Sequence, residues 1–386
     1  MSPRRVSPHL SVIVLAIAAL ALAAGVLADE NGPFLDRFDT VNLVASTVPG
    51  NGDQNPYGIV VVPRSVGLLK RGHILISNFN NGGANLQGLG TTIVQVSPEG
   101  TLTVFAQIAP SMVAGRCPGG VGLTTALAVL RRGWVIVGSL PTSNGMSATA
   151  GAGCLIVLNS AGHVVETFHG GGINGPWDMT VLDHEERAWL FVTNVLNGDV
   201  TVAPPHEVDQ GTVLRIALAV PEQGEGIPAL RTTTTIGSGF AETADPAALV
   251  IGPTGVGLAE DGTLYVADTV NSRIAAIPHA LTRQTTAFTG VEVSVKGALN
   301  GPLGLAIAPN GHIITANAGD GNLVETTPAG SQIAVKTVET ATGAGSLFGI
   351  AIVRGGRGVY FVDDGDNTVK VLESKDSPKG DEHDND

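Results

Sequence analysis

Aromatic residues are scarce in this sequence, at 4% of 386 positions, and charged residues make up only 14%. Few rings means no core built on Phe, Tyr and Trp; Val, Ile, Leu and Ala must fill it, which a 43% apolar content allows. Basic residues are the minority sign, 21 Lys and Arg against 34 Asp and Glu, for a formal charge of -13. That balance makes nucleic acid and anionic membrane surfaces poor partners. Long helices are unexpected, because 52 Gly and 22 Pro punctuate the chain. No Gly-x-Ser-x-Gly turn, Ser–His–Asp arrangement or phosphate-binding glycine loop is visible. No two histidines stand at metal-ligand spacing.

The one long apolar run is N-terminal. Arg4 and Arg5 precede Val12 to Leu27, and Val26-Leu27-Ala28 is followed by Asp29. This reads as a signal peptide over residues 1–28, cut after Ala28, for a secreted or periplasmic protein; an uncleaved anchor is the alternative. After cleavage no stable membrane span is expected. In an exported chain the two cysteines, Cys117 and Cys154, can pair.

What the sequence has in place of helices is a repeat. In residues 252–274 an apolar run from Val256 meets a turn at Asp261-Gly262. A second run, Leu264 to Ala267, leads to a polar turn and a third strand opening at Arg273. Asp-Gly between alternating apolar runs is a strong hairpin signal. The first strand recurs at Gly58, Ala126, Asp178, Gly255, Gly304 and Gly349. The second follows Gly72, Gly133, Ala188, Gly262, Gly311 and Gly358, and six residues beyond each stands Asn78, Ser139, Asn194, Asp268, Asn317 or Asp364. Third strands are expected in all six repeats and fourth strands in five, including Leu230–Thr233 in the third. The last repeat lacks a fourth strand, which Val41–Ala45 can supply. The spacing therefore predicts an all-β, six-bladed β-propeller over 41–372, with four-stranded blades and an N-terminal strand closing the last blade. Residues 29–40 read as a loosely ordered lead-in and 373–386 as an acidic disordered tail.

The register sorts side chains onto two faces. His73, His184, His312 and His163 fall in narrow-face turns and read as solvated. His169 and His206 fall on mouth-side loops. The ring Asn78, Ser139, Asn194, Asp268, Asn317 and Asp364 lies on the mouth side. Such residues cap turns through their own side chains; alternatively Asp268, Asp364, Asn194 and Asn317 offer oxygens to calcium, which takes six to eight. Asp178, Asp320 and Asp363 lie nearby. Tyr57, Trp177 and Phe348 begin inner strands at the mouth, as packing between blades or as an aromatic rim for a ligand. Cys117 and Cys154 map to one face of one blade, and a disulfide between them would pin its loops.

Residues 252–274, with Gly-Pro-x-Gly, Asp-Gly-x-Leu-Tyr-Val-Ala-Asp and Asn-x-Arg-Ile, resemble an NHL repeat; 301–330 and 347–372 are similar. The resemblance implies a six-bladed propeller, a fold that serves sensors, RNA binders, amidating lyases and lactonases. Asn174-Gly175-Pro176-Trp177 is similar to the Glu-Gly-Pro-x-Trp segment of gluconolactonase-like proteins, with Asn174 in place of the glutamate. Those proteins hold calcium in a ring of Glu, Asn and Asp. On this reading the expected role is a non-catalytic exported scaffold. Its mouth, formed by Tyr57, Asn78, Trp177, Asp178, Asn194, Asp268, Asn317 and Asp364, would bind a peptide or protein, a glycan or a small molecule. A calcium-dependent lactonase-type hydrolase or lyase is the alternative.

Overall fold

A computed structural model describes residues 32–198, 206–340 and 346–375. The signal segment 1–28 and most of the tail lie outside them. Residues from Pro33 onward form six antiparallel sheets arranged as the blades of a propeller. The inner strands are Gln54–Val61, Leu123–Val129, Gly175–Asp183, Pro253–Leu258, Pro302–Ile307 and Leu347–Ile352. In the sixth blade, Leu347–Ile352, Gly358–Asp363 and Thr368–Glu373 are completed by Thr40–Ser46, with Val41 opposite Leu372. The ring therefore closes on a pairing of the two ends of the domain, which leaves only short sheet edges.

The turns explain why the repeat was readable. Gly72, Gly133, Gly262 and Gly311 join first to second strands at φ of 81–82°, a left-handed conformation that glycine adopts at no steric cost. The core lies between neighbouring blades. Leu75 and Ile93 of the first blade meet Val135, Val137 and Ile156 of the second. Each such aliphatic side chain contributes about 1.5–3 kcal/mol when fully buried, which is how a ring-poor sequence holds a large fold.

Two segments differ from expectation. The third blade has five strands: its fourth runs Ala229–Asp245, and the chain turns back into Leu249–Ile251. Register shifts at Gly211, between Val213 and Leu214, and between Ala217 and Leu218 break the two-residue alternation on which a strand prediction rests. The lead-in is also fixed. Leu35–Arg37 forms a 3-10 turn. Phe34, Leu35 and Phe38 are buried, and the Glu325 carboxylate accepts the Phe34 and Leu35 N–H groups at 2.9 and 2.8 Å. Among the described residues no helix is long and apolar enough to cross a membrane.

Candidate functional site

Cross-strand partners define the mouth ring. Pro56 faces Asn78, Leu123 Ser139, Pro176 Asn194, Pro253 Asp268, Pro302 Asn317 and Leu347 Asp363. The sixth member is thus Asp363 rather than Asp364. The count slipped because Gly358 lies inside its strand, whereas the sixth blade turns at Gly355 and Gly356.

The ring does not converge on the channel. Asn78 Nδ2 donates to Thr47 O at 2.9 Å, and Ser139 Oγ donates to Gly120 O at 2.9 Å. Asn317 Nδ2 donates to Ala298 O at 2.7 Å. Asn194 Oδ1 accepts the N–H groups of Asn174 and Gly175 at 2.9 and 3.0 Å. Each ties the loop entering its own blade to the end of the second strand. Asp268 receives Arg273 Nη2 at 2.7 Å and Nε at 3.0 Å. Asp363 receives Lys370 Nζ at 2.6 Å. The oxygens of Asn194, Asp268 and Asp363 are taken up by backbone N–H groups or basic side chains, while Asn78 Oδ1 and Asn317 Oδ1 are buried without a hydrogen-bond partner.

Among the described residues one acidic cluster has ligand geometry: single oxygens of Glu339, Asp363 and Asp366 lie within 4.8 Å of one another. Lys370 Nζ sits among them, 2.9 Å from Glu339, 2.6 Å from Asp363 and 2.8 Å from Asp366. Burial disfavours the Lys370 charge, but the three carboxylates outweigh it and hold the ammonium pKa above its ordinary value. Asp363 is pushed up, first by burial and then by Glu339.

The wide mouth is closed. Tyr57 stacks on Phe348 at 3.9 Å and on Phe79 at 4.4 Å, with Trp177 6.3 Å away. These rings are buried, so they form a plug and not a ligand rim. The added hairpin of the third blade lies over them. Tyr57 Oη donates to Ala247 O at 3.1 Å, Trp177 Nε1 to Val250 O at 2.9 Å, and Gln87 Nε2 to Pro246 O at 2.6 Å. Asp364 lies beside this plug, and burial, then Asp363 and Asp366, pushes its carboxyl up to about 8. Glu242, at the root of the hairpin, is pushed up to about 7 by burial against the opposing N–H groups of Asn197 and Gly198. The Cys117 and Cys154 sulfurs are bonded, Cα atoms 5.4 Å apart. His312 is buried, not solvated, with Nδ1 2.6 Å from Glu325. His206 is exposed beside residues outside the described set.

Below the plug the channel remains open, about 320 Å³ in volume and lined by all six inner strands. Exposure along those strands rises away from the mouth, as at Val61, Leu258, Ile307 and Ile352. The channel therefore opens at the narrow face, the end opposite to the one the sequence favoured. Because the inner strands pair on one side only, backbone N–H and C=O groups line it among aliphatic side chains. A larger depression at Arg132, His184 and Trp189 is an open surface groove, where Arg132 is already paired with Glu222 at 3.0 Å.

Asp178 and Thr180 supply the channel's polar side chains. Asp178 stands in a column of small residues: Gly58, Ala126, Gly255, Gly304 and Gly349 precede the first lining residue of the other strands. A Cβ on Gly255 would lie 2.4 Å from Leu303 O, and on Gly349 2.4 Å from Tyr57 O, so those blades need glycine. In the third blade the side chain instead reaches the next blade. Asp178 Oδ2 accepts Val256 N–H at 3.2 Å, and Oδ1 accepts Met179 N–H at 2.8 Å. Burial pushes its carboxyl up to about 8 despite both hydrogen bonds. A lone acid in a column of glycines was the sequence signal that marks it.

No protein-family model matches the chain, and no curated protein matches it. Solved structures do. A gluconolactonase from Xanthomonas campestris is similar at a TM-score of 0.52 and 13% identity, over 87% of this chain and 90% of that one. The calcium-binding protein regucalcin from Agrobacterium tumefaciens gives 0.52 and 13%, over 86% and 93%. A luciferin-regenerating enzyme gives 0.54 and 10%, over 87% and 96%. These identities carry the fold. They also correct the expectation of a non-catalytic scaffold, since a gluconolactonase and a luciferin-regenerating enzyme are the company this propeller keeps.

Proposed function

We propose that the protein is an exported hydrolase of the lactonase type, built on NHL-like repeats, acting on a small lactone or ester in the channel beneath the plug. The observation that carries this reading is Asp178, an acid held near neutrality where the other blades have glycine or alanine. A carboxyl titrating near 8 keeps its proton at neutral pH. It can therefore polarise a carbonyl or protonate a leaving alkoxide, and its ionised fraction can take a proton from water. Water enters from the open end, and the Thr180 hydroxyl lies along the same wall. Calcium was a candidate cofactor of the alternative reading; Lys370 already fills the acidic cluster found among the described residues, and no step here is routed through a metal.

The test is hydrolysis of a lactone and aryl-ester panel by the protein lacking residues 1–28. Asp178→Asn should lower kcat/KM by about 100-fold or more, and the wild-type pH–rate profile should bend near 8. Equal rates for wild type and Asp178→Asn would sink the proposal.

A further inference from the structure

The acidic cluster at the sixth blade has the dimensions of a cation site and a side chain already in it. Oxygens on opposite sides of a calcium ion stand about 4.6–5.2 Å apart; the chosen oxygens of Glu339, Asp363 and Asp366 lie within 4.8 Å of one another. Lys370 Nζ reaches all three at 2.6–2.9 Å, and its side chain is 13% exposed. The residues come from separate places. Glu339 follows the fifth blade, Asp363 ends the second strand of the sixth, and Asp366 lies in the next turn. Lys370 itself lies in Thr368–Glu373, the strand that pairs with Thr40–Ser46.

The fourth blade repeats the pattern, with Arg273 on ring residue Asp268 at 2.7 Å. Ring acids occur only in the fourth and sixth blades, and each is matched by a basic residue on its own third strand. The other four ring residues are neutral.

We propose that Lys370 is a built-in cation that takes the place of a divalent ion at the closure of the ring, so that the wild-type protein is indifferent to calcium there and loss of this one ammonium creates a divalent-cation site. Without Lys370 the buried carboxylates of Glu339 and Asp363, beside the exposed one of Asp366, would lose this counter-charge, the arrangement that a hard cation with oxygen ligands relieves. The methionine side chain keeps the length of the lysine stem and removes only the charge.

The experiment compares wild type, Lys370→Met and Lys370→Arg by thermal unfolding and calorimetric titration, in chelator, in calcium and in magnesium. Wild type should show no calcium-dependent shift in Tm. Lys370→Met should melt roughly 5 °C lower in chelator, bind one calcium ion and recover most of the loss. Lys370→Arg should behave as wild type toward calcium. If Lys370→Met does not fold in chelator, its refolding yield against calcium gives the same reading: recovery supports the proposal, and no recovery at any concentration overturns it. A wild-type Tm that rises with calcium as much as the variant's, or a folded Lys370→Met that binds none, also overturns it. These outcomes are independent of whether lactones are hydrolysed at Asp178.

Discussion

The two ends of the channel solve opposite problems with the same inner strands. At the wide mouth three of the six inner strands begin with a ring that must be covered. Tyr57, Trp177 and Phe348 are packed under the third-blade hairpin, while the ring of short polar residues is turned outward to hold loops. Below the plug the strands run on to half-exposed aliphatic residues such as Val61, Leu258, Ile307 and Ile352, and a single acid, Asp178, stands in the wall next to Trp177. Polar residues concentrated at one end of a propeller are therefore no sign of a site there. Their side chains can be committed to holding loops, while the channel's one acid sits where the sequence is blandest.

The sharpest way to break this contrast is to remove the plug. Phe348→Ala should cost about 3–5 kcal/mol in denaturant unfolding, the usual penalty for deleting a buried ring; a loss near zero would mean the mouth is not sealed by packing. Asp178→Gly tests the channel wall below the plug. It restores the residue used at this column in four blades, so stability should change by only about 1 kcal/mol while lactone turnover falls about 100-fold. A stability loss as large as that of Phe348→Ala would make Asp178 a strut and not a working group.

A smaller effect follows from pH. Asp178, Asp364 and Glu242 all have folded-state pKa values raised above the ordinary carboxyl range. The folded chain holds these protons more tightly than the unfolded one. The stability this contributes is complete below about pH 4 and drains as pH climbs through the raised values of about 7 to 8. Tm should therefore fall between pH 5 and pH 8.5, and Asp364→Asn or Glu242→Gln should each flatten the slope, by about 1 kcal/mol or more. A slope unchanged in both variants would refute the assignment. Smallest is Tyr57→Phe, which removes only the bond to Ala247 O and should cost about 1 kcal/mol by urea titration.

The repeat is legible in the sequence because glycine turns and ring residues recur at fixed offsets, and the same count exposes the closing strand Val41–Ala45. The plug was half legible: Tyr57, Trp177 and Phe348 stood at the mouth, but what covers them is the hairpin Asp245–Ile251, whose return strand Leu249–Ile251 is three residues long and too short to show alternation. Asp178 and Lys370 were readable in principle. Each is an outlier in a column, an acid among glycines and a base paired with a ring acid. Which way a side chain turns, however, depends on a neighbouring blade that no local pattern describes.

Closure by the two ends has a consequence in time. Asn42 and Glu373 are hydrogen-bonded across 331 positions of chain. The sixth blade has no complete sheet until its last strand has been synthesised, and Thr40–Ser46 has no partner until then. Assembly must wait for a contact of near-maximal sequence separation, which places this protein among slow folders whose rate is governed by topology rather than by local propensity. Until that moment the first strand of the ring is an open edge, and the chain is most vulnerable to pairing with another copy of itself.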